Sequence, residues 1–281
     1  MNNGDHRSLP KNALPLMDAD WIVYMACSAV EYPLDNPAEA DFQDVVDVFD
    51  GKIKEIKRIL NTTEEPIYFF TGVDNFRMDI AKSKEYKGKR KKEKPYHYKN
   101  LVMYIEARYP VIRYKNLEAD DGMAIFQTDW LKCIPLNLIQ PSIIVTPDKD
   151  LRSVEGWHYG PEGWNYPSFG PILISEENSY IELSKDRKKV IGIGYKFFYS
   201  QLLTGDVVDN IPGLPRTGAV AAVKLLANAT TKGEAYIAVR DAYRDVCLCP
   251  DEYLKEQADL LWMVRGVNRK GEPVLWQPPL R

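Results

Sequence analysis

Short apolar runs that stop at acids alternate with stretches of helical period through the first half of the chain. Residues 14–17 are apolar and end at Asp18, and a helix-like stretch follows over 21–30. Val45, Phe49, Ile53, Ile56 and Leu60 recur at steps of three and four, which predicts an amphipathic helix ending near Asn61. Residues 67–70 read as a buried strand, 98–109 as a helix and 111–114 as a strand, and Glu118 opens a helix that runs through Cys133. The clearest strand is 142–146, with Asp148 and Asp150 just beyond its end. This alternation predicts an α/β fold with a mostly parallel central sheet flanked by helices, whose ligands lie beyond the carboxyl ends of the strands.

The pattern changes after residue 156. Residues 157–190 are rich in Gly, Pro and turn formers with short alternating runs at 172–174 and 180–183, which predicts small antiparallel strands or hairpins. Helical stretches then follow at 197–203, 219–227, 234–243 and 253–264, and a proline-bearing tail from Asn268 is expected to run over the surface. The predicted organisation is a polar extension over 1–13, an α/β body over 14–194 and a helical region with a tail over 195–281.

Composition narrows the function. A chain of 281 residues with 45% hydrophobic content holds one large core or two modest ones. No apolar run reaches the roughly 18 residues that cross a bilayer, and residues 1–11 are polar without a signal-peptide core, so a soluble, cytoplasmic protein with no membrane partner is expected. Cys27, Cys133, Cys247 and Cys249 fall in no zinc spacing, and with His6, His97 and His158 as the only histidines, histidine-rich metal sites and Ser-His-Asp catalysis are disfavoured. The net charge is −3, but residues 82–94 read KSKEYKGKRKKEK and concentrate positive charge in one segment. Such a run is either a solvated face or a surface that attracts phosphate.

The acids supply the chemistry. Asp18, the Glu118–Asp121 cluster, Asp148 with Asp150, and Asp206 with Asp209 each stand at the end of an apolar run or the start of a helical one. A fold that gathers them needs positive charge between them, and an all-oxygen site suits Mg²⁺ or Mn²⁺. Two such ions are standard for breaking a phosphodiester bond. Any one of these acids could instead cap a helix, a role that does not account for the whole set.

Together, Glu118-Ala119-Asp120-Asp121, Thr146-Pro147-Asp148-Lys149-Asp150 and the run from Gly205 to Gly213, preceded by Tyr86-Lys87-Gly88-Lys89-Arg90, resemble the 5′-to-3′ exonuclease and flap endonuclease family, most of all its free-standing bacteriophage branch. The resemblance implies a PIN-like nuclease fold with a C-terminal helix-hairpin-helix region. It implies that Asp18, Glu118 and Asp120 hold one Mg²⁺ and that Asp148, Asp150 and Asp209 hold a second, with Asp121 and Asp206 as further ligands and Mn²⁺ able to substitute. Lys87 and Arg90 become the catalytic basic pair on an arch over about 76–98. Arg77, Lys84, Tyr86, Lys89, Lys91 and Lys92 become DNA contacts, with Tyr86, Tyr96 and Tyr98 as candidates for stacking on unpaired bases. Gly213, Arg216 and Gly218 belong to the hairpin that would grip duplex phosphates.

The sequence departs from the family pattern in two places. Arg216 stands where the first hairpin glycine is usual and Val220 where a basic residue is usual, which leaves a bound monovalent cation open. Asp74, counted among the metal ligands, lies nearer Arg77 than the family spacing has it, and Asp79 is a weaker substitute. The implied activity is hydrolysis of DNA at 5′ ends, nicks or flaps in replication or DNA degradation, in the host cytoplasm if phage-encoded. RNA at the 5′ end of a hybrid is a second substrate. The alternatives are a PIN-like endoribonuclease and a non-catalytic, structure-specific DNA-binding protein.

Overall fold

The computed structural model describes residues 8–88, 93–133, 141–163 and 166–279. Strand β1 (Leu14–Asp18) passes without a loop into helix α1 (Ala19–Glu31), because Asp18 caps the helix by accepting from Trp21 N at 3.0 Å. Helix α2 (Phe42–Ile59), strand β2 (Ile67–Phe69), the short α3 (Phe76–Ile80), α4 (Tyr98–Arg108), β3 (Val111–Ile112), α5 (Ala119–Cys133) and β4 (Ser142–Val145) follow. A 3₁₀ turn, Asp150–Ser153, leads into β5 (Gly156–Gly160) and β6 (Phe169–Ile174). The six-stranded sheet has the order β3-β2-β1-β4-β5-β6, parallel from β3 to β5, with β6 antiparallel at the edge.

Both faces of the sheet are buried, as the period of two requires. Met17, Tyr68, Ile143 and Val145 point toward α1, α2 and α4, whereas Leu16, Phe69 and Ile144 point the other way, toward Met123 and Ala124 of α5. The predicted α2 stripe of Val45, Phe49, Ile53, Ile56 and Leu60 is buried along its length.

Between residues 156 and 193 the structure differs from expectation in one respect. Residues 156–160 pair in parallel with β4, Ile143 opposite Trp157 and Val145 opposite Tyr159, so the parallel sheet extends one strand further than the sequence suggested. The expected hairpin does form from β7 (Tyr180–Leu183) and β8 (Val190–Ile193).

Helices α6 (Gly194–Thr204), α7 (Ala219–Leu226), α8 (Lys232–Val246) and α9 (Pro250–Leu261) enclose a core of their own that includes Leu202, Leu226, Val239, Tyr243 and Ala258. The tail is anchored to this core. Trp276 is buried against Phe198 and Tyr236, because an indole offers more apolar area than the neighbouring prolines can keep in water.

Candidate metal centre and nucleic-acid interface

A cleft of about 540 Å³ opens beyond the carboxyl ends of the central strands, and eight carboxylates line it: Asp18, Asp20, Glu118, Asp120, Asp148, Asp150, Asp206 and Asp209. Asp18 arrives on the last residue of β1 and is fixed by the Thr146 hydroxyl at 2.8 Å, which ties the ends of β1 and β4 together. Glu118 and Asp120 flank the start of α5. Asp148 accepts from Asp150 N at 2.9 Å, a turn that aims both side chains toward the cleft.

Asp206 and Asp209 come from a loop that two glycines close. Gly205 (φ +69°) and Gly213 (φ +67°) lie so close that a Cβ on Gly213 would meet Gly205 N at 2.3 Å. Asp206 and Ile211 exchange backbone hydrogen bonds of 2.9 and 2.8 Å across the loop. Lys87 N donates to Asp209 O at 3.0 Å and Asn210 Nδ2 to Glu85 O at 2.8 Å, so this loop also anchors the start of the basic segment.

The charges are only partly balanced. Lys149 Nζ bonds Asp150 and Asp206 at 2.7 Å each, and Lys87 Nζ bonds Glu118. Burial opposes ionisation of Asp206 and Glu118, but Lys149 in the first case, and Lys87 with Arg77 in the second, outweigh it and hold both carboxyls below their ordinary values. For Asp18, Asp148 and Asp120 the balance goes the other way. Burial, with Asp20 beside it, pushes Asp18 up to about 7. Burial, with Asp150, pushes Asp148 up to about 6. Asp120 rises well above its ordinary value through burial and the fields of Asp148 and Asp18.

This donor set fits divalent cations. Hard oxygen ligands crowd one cleft, and three of the carboxyls have their charge disfavoured by burial and by one another. Among the described residues no group of three or more Asp, Glu, His or Cys side chains is already drawn together around one metal position.

Two expected site residues lie elsewhere. Asp121, assigned to metal, and Arg77, assigned to DNA, are both fully buried and bound to each other by two hydrogen bonds of 2.6 and 2.8 Å. Arg77 also donates to Leu260 O and Trp262 O, and Asp121 accepts from Val264 N, so the pair joins α3 and α5 to the end of α9. A guanidinium and a carboxylate so enclosed have no surface left for DNA or metal.

Tyr86 and Tyr98 are likewise buried rather than presented for stacking. The Tyr86 hydroxyl lies 2.9 Å from Glu118 Oε2 and 3.1 Å from Asp209 Oδ2 and orients both, while Tyr98 donates to Asp20 at 2.8 Å. Tyr96 and Lys84 are exposed. Lys89, Arg90, Lys91 and Lys92 lie outside the described residues.

Asp74 and Asp79 line an adjoining hollow that shares Thr71, Lys87 and Glu118 with the cleft, and they do not line the cleft itself. In the hairpin, Gly213 is buried and spends its N–H on Gln257 Oε1 at 2.9 Å, so it serves the turn and offers no donor to phosphate. Arg216 is exposed and adopts φ +62°, the left-handed conformation that usually selects glycine. Gly218 is exposed as the N-cap of α7, which has no side-chain cap.

The sequence reading passed over Asp20, Trp21, Arg152 and Tyr166, all of which line the cleft. Asp20 had a signal, since it follows Asp18 by two residues at the strand-to-helix junction. Arg152 and Tyr166 had none.

The mostly parallel sheet with an acidic cleft at its carboxyl ends, joined to a helical region, is a fold shared with solved nuclease structures. The structure matches T5 5′-exonuclease, solved with divalent metal ions (zinc) bound, at a TM-score of 0.55 and 13% identity over 89% of this chain and 100% of that one. A bacteriophage T5 flap endonuclease variant, solved as a pseudo-enzyme–product complex with DNA and metal ions, matches at a TM-score of 0.55 and 13% identity over 89% and 99% of the two chains. At this identity the likeness is one of fold. By sequence, 124 residues are 31% identical to DNA polymerase I of Borreliella burgdorferi (strain ATCC 35210 / DSM 4680 / CIP 102532 / B31), a stretch that covers 43% of this chain and 12% of the polymerase. No family model matches the sequence. Among the described residues no helix is long and apolar enough to cross a membrane.

Proposed function

We propose that the chain is a Mg²⁺-dependent 5′ nuclease that hydrolyses phosphodiester bonds of DNA at 5′ ends, nicks or flaps. The observation that carries this reading is the cleft itself: eight carboxylates with two lysines among them, at the carboxyl edge of a parallel sheet. Asp18, Glu118 and Asp120 would hold one ion, and Asp148, Asp150 and Asp209 the other. Divalent ions bound there would supply a water of lowered pKa and neutralise the departing 3′ oxygen.

The chain's own residues do the positioning. Tyr86 keeps Glu118 and Asp209 aligned with each other. Thr146 fixes the Asp18 carboxylate, and Lys149 restrains Asp150 and Asp206. Lys87, at the mouth of the basic segment, is placed to exchange its Glu118 contact for the scissile phosphate as negative charge develops there. The exposed Arg216, together with the uncapped first turn of α7, would grip backbone phosphates of the duplex without reading its sequence. Residues 14–194 would serve as the catalytic body and 195–281 as the duplex-binding part.

The test is cleavage of a 5′-labelled double-flap DNA beside a blunt duplex, with Mg²⁺ and with EDTA. A Mg²⁺-dependent fragment of flap length marks endonuclease action, and mono- or dinucleotide release from both substrates marks a 5′ exonuclease. The absence of any metal-dependent product overturns the proposal.

A further inference from the structure

Among the described residues, Arg152 is a cation of the cleft that no carboxylate claims. It sits in the Asp150–Ser153 turn, on the half of the cleft built by β4 to β6, within the fields of Asp148 and Asp150. Lys87 and Lys149 each close ion pairs with the surrounding acids, yet the Arg152 guanidinium makes neither a hydrogen bond nor an ion pair to any described residue. Phe169 of β6 holds it instead, with Cζ 4.0 Å from the ring centroid.

Tyr166, three residues before Phe169, lines the same cleft, and Trp21 Nε1 donates to its hydroxyl at 3.1 Å, which ties two aromatic rings together there. Tyr166 is 37% exposed. The same pair borders a second, largely apolar hollow of about 360 Å³ on its far side.

We propose that Arg152 and the Trp21–Tyr166 pair form a nucleotide subsite, in which the guanidinium takes a backbone phosphate of the bound strand and the aromatic pair takes the face of an adjoining unpaired base. An arginine presents a planar fork of donors matched to phosphate, and one already stacked on a ring loses little freedom on binding. Aromatic rings accept any base, so the subsite grips single-stranded DNA without selecting sequence. The ligand class rests on the nuclease reading; the test does not.

The test is fluorescence anisotropy of an oligonucleotide with a 5′ single-stranded arm, titrated across a salt series in Ca²⁺, with intact DNA confirmed on a gel. Arg152→Gln should weaken binding on the order of 10-fold and lower the salt slope by about 0.7, the signature of one lost phosphate contact on a single strand. Arg152→Lys should keep the slope and recover part of the affinity. Tyr166→Ala should weaken binding at least ~5-fold, and moving one abasic site along the arm should find a position where that penalty disappears.

An unchanged salt slope in Arg152→Gln, a Tyr166→Ala penalty equal at every abasic position, or failure of the unaltered protein to bind the arm overturns the proposal. Should Arg152→Gln not fold, the lysine variant and the abasic series decide alone. Binding of this pattern without metal-dependent cleavage would leave the subsite standing and remove the nuclease reading.

Discussion

Replacing Arg77 with methionine should unfold the protein earlier rather than loosen its hold on DNA. The guanidinium has no exposed surface, and it donates to both Asp121 oxygens and to the carbonyls of Leu260 and Trp262. Methionine fills part of the volume but leaves the Asp121 carboxylate buried with the Val264 and Glu118 amides as its partners. Breaking a buried pair from one side costs about 3–5 kcal/mol. Unfolding entropy near ~2.1 cal/mol/K per residue gives about 0.6 kcal/mol/K for 281 residues. The expected fall in Tm is therefore ~5–8 °C, read by calorimetry or circular dichroism in EDTA. The two substitutions should not add: Arg77→Met with Asp121→Asn should be more stable than the sum of the single losses predicts, by ~1–3 kcal/mol. A methionine variant that melts within ~2 °C of the parent but binds DNA poorly would refute the burial argument and return Arg77 to the DNA surface.

Other consequences follow from the same geometry. Asp148→Asn should abolish metal-dependent cleavage. In EDTA it should also raise Tm at about pH 8, where Asp148 is ionised among like charges, by an amount that shrinks as pH falls through about 6 and is gone below the ordinary carboxyl value, where the group is protonated in both folded and unfolded chains; an equal shift across that range contradicts this. His158 is buried neutral, donating from Nε2 to Val154 O at 2.8 Å, and burial lowers its pKa to about 3. Its contribution, on the order of 4 kcal/mol, is present above about pH 6.5 and lost as pH falls toward 3, so His158→Gln should flatten the acid side of a Tm-against-pH profile. Lys87→Ala should slow single-turnover cleavage by about 10²-fold or more while branched-DNA binding weakens less, and a loss confined to affinity would assign Lys87 to steering.

What was legible in the sequence follows local period and position. The acids at strand ends could be read because a parallel sheet exposes its carboxyl edge, and Asp18, Asp120, Asp148 and Asp209 all line the cleft. Burial was not legible. Arg77, Tyr86, Tyr98 and Asp121 carry polar groups that a linear reading assigns to solvent or ligand, whereas the fold encloses them and pairs them with groups distant in sequence. Residues 156–160 contain two glycines and gave a weak strand signal, because their pairing with β4 is set by tertiary contact. Arg152 and Tyr166 reach the cleft from a turn and a loop with no recurrent spacing, so only the folded chain brings them beside the acids.

Anomalous diffraction at the manganese edge, from crystals grown with Mn²⁺, decides whether these carboxylates hold two divalent ions. Two peaks are expected in the cleft about 4 Å apart, one beside Asp18, Glu118 and Asp120 and one beside Asp148, Asp150 and Asp209, with none at Asp121. Peaks confined to other surfaces, or a cleft that stays free of manganese at saturating concentration, would contradict two-ion binding there.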